Sequence, residues 1–158
     1  MGKDDGMMAG HFSIRVISET INSIIGGCMK EKFELVKRYL NDMDMAIISE
    51  DEAEELVVVE DEDSGIKNLI IDCEEPILVL EQMIMKVPEN SGPLYKRLLQ
   101  MNRNLVHGAF VLDENESMIL FRDTLQLENL DRNELEASIQ ALSLALSEYA
   151  ADLLKYAA

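Results

Sequence analysis

Apolar residues recur along this chain with two periods, and the changes of period mark the elements. From Phe12 onward Ile14, Ile17, Ile21 and Ile24 fall at steps of three and four, with Ile25 widening the stripe. That is the spacing of one helix face. The Gly26–Gly27 pair that follows predicts the stop of this helix, because glycine favours the left-handed cap. A second amphipathic helix is predicted in "MKEKFELVKRYLNDM", where Phe33, Val36, Leu40 and Met43 share a face flanked by Leu35 and Tyr39. "SEDEAEE" reads as an acidic linker. The period then changes: "LVVVEDEDSGIKNLIIDCEEP" holds two β-branched runs around an acidic turn ending in Gly65, which predicts a hairpin with glycine at the left-handed position. "ILVLEQMIMKVP", Ile77 to Pro88, predicts a third long strand.

After the loop "PENSGP", Pro93 sits where a helix can begin, since its missing N–H costs nothing in the first turn. Leu94, Leu98, Met101 and Leu105 form the inner face of that helix, with Tyr95 and Leu99 beside it. A strand from His107 to Leu112, the turn "DENE" and a strand from Ser117 to about Leu125 follow. Asp131 with Glu134 three residues on is a capping pair by analogy with the Ser/Thr box. It opens a long helix whose stripe runs Leu135, Ile139, Leu142, Leu146, Tyr149, Leu153 and Tyr156. Strands segregated into hairpins predict an α+β domain with an antiparallel sheet of about five strands, in the order α-β-β-β-α-β-β-α, preceded by an extra N-terminal helix. Residues 1–28 are expected to be a separable extension and 29–158 the domain proper.

Both faces of the last hairpin are apolar. His107, Ala109 and Val111 share one side of its first strand; Gly108, Phe110 and Leu112 share the other. Met118 and Leu120 lie opposite in orientation to Ile119 and Phe121. A solvated sheet face would alternate with polar residues. One face therefore packs on helices, and the other needs a cover: the extra helix, a second copy of the chain, or a client. Phe110, Leu112, Met118, Leu120, Met83 and Met85 are the candidate partner-binding or dimer residues. Flexible methionines suit surfaces that accept varied partners.

Chemistry adds little to that picture. His107 has no nucleophile, orienting acid or metal partner near it in sequence and reads as a residue that caps the preceding helix, with Gly108 allowing the entry to the strand. Two histidines and two cysteines, scattered, are a poor supply for a zinc site. "DEDSG" has its glycine at the wrong offset for a calcium loop. No catalytic, metal or cofactor site is expected. Asp and Glu number 31 against 14 Lys and Arg, a net charge of −17. That field disfavours nucleic acid and anionic membrane surfaces. No apolar run approaches the ~20 residues of a membrane helix, the N-terminus carries acids and polar residues unlike a signal peptide, and a cytoplasmic protein is expected. Cys73, in an apolar run, reads as a buried thiol.

From Met29 to Ala158 the chain resembles the YbjN and Tir-chaperone (CesT-like) superfamily of type III secretion chaperone-like domains. The likeness is carried by "KFELVKRYL", by "LYKRLLQMNRNLVHGAFVLDENESMILFRDTLQLENLDRNEL" and by the last helix. Leu98, Asn102 and Leu105, then Gly108-Ala109-Phe110, Leu125-Gln126-Leu127 and Leu130-Asp131 match the family pattern. These are packing motifs, so they speak to fold more than to activity. The resemblance implies a small α+β domain, commonly dimeric and without catalysis, that holds a protein client along apolar grooves and sheet edges. The expected function is a non-enzymatic chaperone-like or adaptor protein acting as a homodimer, the alternative a YbjN-type regulatory protein without ligand chemistry.

Overall fold

The computed structural model describes Gly27 and residues 29–157. The predicted helix over Phe12–Ile25 lies outside the described residues. Gly27 itself is helical, so the glycine stop does not hold at that residue.

Helix α1 runs to residue 42 and buries Met29, Phe33, Val36 and Leu40, the stripe its sequence dictates. Strands β1 (Ala46–Asp51), β2 (Leu56–Asp61), β3 (Ile66–Glu74) and β4 (Ile77–Lys86) follow as a meander. Helix α2 (Gly92–Asn102) leads to β5 (Ala109–Leu112) and β6 (Met118–Gln126), and α3 (Arg132–Leu153) closes the chain with a short 3-10 turn, Leu154–Tyr156. The strands form one antiparallel sheet in the order β1-β2-β3-β4-β6-β5. This is the α+β architecture expected, with one strand more.

The extra strand is β1, which overlaps the stretch read as an acidic linker. It escapes the periodicity argument because it is an edge strand. Of its residues only Ile47 turns even partly inward, while Ile48, at a bulge between Ile47 and Ser49, is 49% exposed. Lys37 of α1 reaches across to Glu50 at 2.5 Å, with Glu34 at 2.7 Å on its other side.

The turns follow from their residues. Asp51 accepts hydrogen bonds from the N–H groups of Ala53 and Glu54 and so closes the β1–β2 turn. Gly65 has φ +73°, the left-handed conformation predicted for it. In the β5–β6 turn Asp113 accepts from the Ser117 N–H, the Ser117 hydroxyl and the Met118 N–H. Those donors hold its carboxyl below the usual range, the Met118 N–H contributing most. At α3, Asp131 caps the helix by accepting from the Glu134 N–H at 2.9 Å.

One face of the sheet carries the core. Val57, Val59, Leu69, Ile71, Leu78, Leu80, Ile119 and Phe121 are all at most 1% exposed. They meet Phe33 and Val36 of α1, Leu94 and Met101 of α2, and Leu135 and Leu142 of α3 in a single cluster. The helices therefore lie on one side, and among the described residues no helix covers the other.

Candidate functional site

Strand parity decides which residues face away from the helices. The ladder pairs Val58 with Ile70, Ile70 with Glu81, Glu81 with Arg122, Met83 with Leu120, and Leu120 with Val111. Each alternates along its strand with residues on the side that faces the helices, so each points to the open side. Val58, Ile70, Met83, Leu120 and Val111 thus form an apolar band across five neighbouring strands, β2, β3, β4, β6 and β5. Met83 is 63% and Ile70 38% exposed. The band surrounds a hollow of about 470 Å³ lined by Val58, Ile70, Met83 and Leu120, with Lys67, Asn68, Glu81 and Gln82 at its sides. Arg122 and Glu81 are ion-paired beside it. The open face carries a polar end as well. Asp72 pairs with Val79 and with Leu56 there, and its carboxyl is raised, by burial first and by Glu74, Glu54 and Glu81 after.

The candidate residues named from sequence divide between the two faces. Met83, Met118 and Leu120 lie on the open side. Phe110 does not: it pairs with Phe121, is 4% exposed, and packs edge-on between the Phe121 and Tyr149 rings at 5.9 and 6.3 Å. Met85 departs for a different reason. A bulge between Met83 and Met85 shifts the register, so Met85 opposes the core residue Ile119 and packs against the core. Leu112 also opposes Ile119 and is 38% exposed at the sheet edge. Val58 and Ile70 were not singled out. Each is the middle member of a run that is apolar on both sides, "VVV" and "LII", which is the one signal that would have marked them.

Asn102 has a role that sequence reasoning did not assign. Its side-chain amide donates to the Phe110 carbonyl at 3.1 Å and accepts from the Phe110 N–H at 2.8 Å. The amide imitates one residue of a neighbouring strand and satisfies the outward-facing groups of Phe110 in edge strand β5. The edge is therefore short and partly closed to added strands. Among the described residues no such amide bonds the opposite edge, β1, which ends in Glu50 and Asp51.

His107 lies beside a small polar cluster. Its Nδ1 is 4.0 Å from Asp123 Oδ2, and the same oxygen accepts a 2.6 Å hydrogen bond from the Ser138 hydroxyl. The carbonyl cap expected of His107 is not among its contacts; it faces β6 instead. Although Ser, His and Asp meet here, the serine bonds the acid rather than the imidazole. Ser138 is 1% exposed, so no substrate reaches it, and the order of a nucleophilic relay is not met. Gly108 has φ +69°, as the entry to the strand requires. Burial pushes the Cys73 thiol up to about 12, which makes it an inert core group. Among the described residues no three His, Cys, Asp or Glu side chains gather where a metal could bind, and no helix is long and apolar enough to cross a membrane.

Residues 29–158 match the CesT_Tir_1 family model. No curated protein matches the chain. Among solved structures it is similar to YbjN from E. coli, described as a proposed transcription regulator, at 16% identity and a TM-score of 0.59, over 76% of this chain and 92% of that one. It is similar also to a chain of the HopA1-SchA chaperone-effector complex, at 15% identity and a TM-score of 0.52, over 70% of this chain and 86% of that one. At such identities the two structures bear on the fold alone.

Proposed function

The chain belongs to the CesT/Tir chaperone family, and on that premise we propose that it is a non-enzymatic, cytoplasmic, chaperone-like protein that acts as a homodimer and binds a protein partner on its open sheet face. The observation that carries this reading is the band of Val58, Ile70, Met83, Leu120 and Val111. A domain whose other face is covered by three helices leaves five apolar side chains of neighbouring strands facing outward. An apolar sheet face of this kind marks an interaction surface. The chaperone-effector complex among its structural relatives has the same fold with a protein partner, which supports a client of the same class. A regulatory role like that suggested for YbjN is compatible when it works through a protein partner. A net charge of −17 argues against direct contact with DNA.

The test is quantitative binding. The full chain is used to capture partners from its host, the partner is identified and purified, and its affinity is measured for wild type and for Met83→Asp. Met83 is mostly exposed, so the variant should fold normally while placing a charge in the band. Affinity should fall at least tenfold, since burying an unpaired carboxylate costs several kcal/mol. Equal affinities would end the assignment of this face.

A further inference from the structure

On the protein-binding reading of the open sheet face, we propose that its occupant is a cationic, apolar segment of a partner protein, with apolar side chains on the Val58, Ile70, Met83 and Leu120 band and a lysine or arginine against Asp72. Asp72 lies two residues from Ile70 on β3, about 7 Å along the strand. Its cross-strand neighbours are Leu56 and Val79, and all three point to the open side. The apolar surface therefore runs on past the band and flanks a half-buried carboxylate. A base and an apolar residue about 7 Å apart in the partner would be two positions along an extended segment, or about one turn of a helix.

What this carboxylate lacks is a counter-charge. The charged neighbours that act on it are acids: Glu74 on its own strand, Glu54 from the β1–β2 turn and Glu81 on β4. Asp51 of β1 lies one strand further on, across Leu56. Arg122 of β6 is ion-paired with Glu81, and Lys67 lies near the other end of β3. Among the described residues no base pairs with Asp72. Burial and the neighbouring acids hold its carboxyl above the ordinary range, so the ionised form is disfavoured in the free domain. A partner's ammonium or guanidinium beside it would favour that form instead. An acid that costs stability within an apolar sheet face is the kind of compromise a binding site makes.

The field of the whole chain selects the same partner. With a net charge of −17, it attracts cationic segments during encounter and repels acidic ones. A second copy laid on the face would bring the same excess of acid.

The experiment measures the binding of two synthetic peptides to the full chain by fluorescence anisotropy. Both carry the same leucines; lysine fills the positions between them in one peptide and glutamate in the other. The lysine peptide should bind at least roughly tenfold more tightly than the glutamate peptide. Asp72→Asn should weaken the lysine peptide about tenfold, the scale of one charge-assisted hydrogen bond. Glu31→Gln makes the same change of net charge on the exposed surface of α1 and should have little effect. Ile70→Thr, which keeps a β-branched residue in its strand, should weaken the lysine peptide through the apolar band. Each variant is first checked for cooperative unfolding by circular dichroism. Because a bound base favours the ionised carboxyl, affinity for the lysine peptide should be lost as pH falls through the raised value of Asp72, and less so in Asp72→Asn. A lysine peptide that binds no better than the glutamate peptide, or that loses no more to Asp72→Asn than to Glu31→Gln, overturns the proposal. If Ile70→Thr still weakens binding in that case, the protein-binding reading stands. Binding of neither peptide overturns the proposal too, and a lower mass of Ile70→Thr in light scattering then assigns the face to a second copy.

Discussion

Replacing Asn102 tests how edge strand β5 is held. Its amide makes two hydrogen bonds to one residue, at 2.8 Å with the Phe110 N–H and 3.1 Å with the Phe110 carbonyl. Each is worth about 0.5–1.5 kcal/mol net. Asn102→Ala removes both and leaves a donor and an acceptor beside a side chain that is 4% exposed, where water reaches them poorly. The cost should be about 2–3 kcal/mol, or ~2–4 °C in Tm per kcal/mol for a domain of this size. Asn102→Asp separates the two bonds. It keeps an acceptor for the N–H but sets a carboxylate oxygen against the carbonyl, so it should cost at least as much as Ala at neutral pH. Urea unfolding followed by circular dichroism measures both, and an unchanged m-value shows that the same surface is exposed. The variants should also self-associate more readily, because the Phe110 edge is then free to pair. If Asn102→Ala costs less than about 0.5 kcal/mol, the amide does not hold the strand and this reasoning fails.

Gly108→Ala should be more severe than any change at His107. A Cβ at Gly108 would run into the Phe121 ring and lie 3.1 Å from the Arg122 carbonyl oxygen, at a φ of +69°. Strain and overpacking of about 1–3 kcal/mol each should lower the urea midpoint sharply, whereas His107→Asn should cost at most ~1 kcal/mol. Asp72→Asn tests the raised carboxyl. A folded-state value above the unfolded one means that the ionised form is disfavoured by folding, so stability is lost as pH rises from the unfolded value through the folded one. The variant should therefore have a higher Tm than wild type at pH 7, with the difference vanishing below the ordinary value of 3.8. A lower Tm at pH 7 would contradict the burial argument. Asp113, half-buried in its turn and lowered by hydrogen bonds, has the opposite sign. Its stabilising effect is present above its unfolded value and is lost as pH falls through the folded one. Asp113→Asn should therefore lower Tm at pH 7 and matter less in acid, as thermal scans at the two pH values would show.

Periodicity and cap chemistry determined most of the fold. The stripe from Phe33 to Leu40, the Asp131 cap, the turn glycine Gly65 and the hairpins after Leu56 and Ala109 follow from local rules, because each depends on residues near it in the chain. Strand β1 did not, since an edge strand held by one half-buried isoleucine and a ladder to β2 carries almost no pattern of its own. The candidate site was legible only in part. That both faces of the hairpin are apolar is written in the residues, but which face the helices take is not. Alternation is symmetric between the two sides until a third element packs on one of them. Hence Phe110 fell to the core and Leu120 to the open side. One bulged residue turned Met85 inward while Met83 stayed out. The amide of Asn102 on β5, the meeting of Asp123 with Ser138 and the joining of Val58 and Ile70 to Leu120 were decided by tertiary structure alone. They bring together residues from different elements, and only the packing of those elements sets such distances.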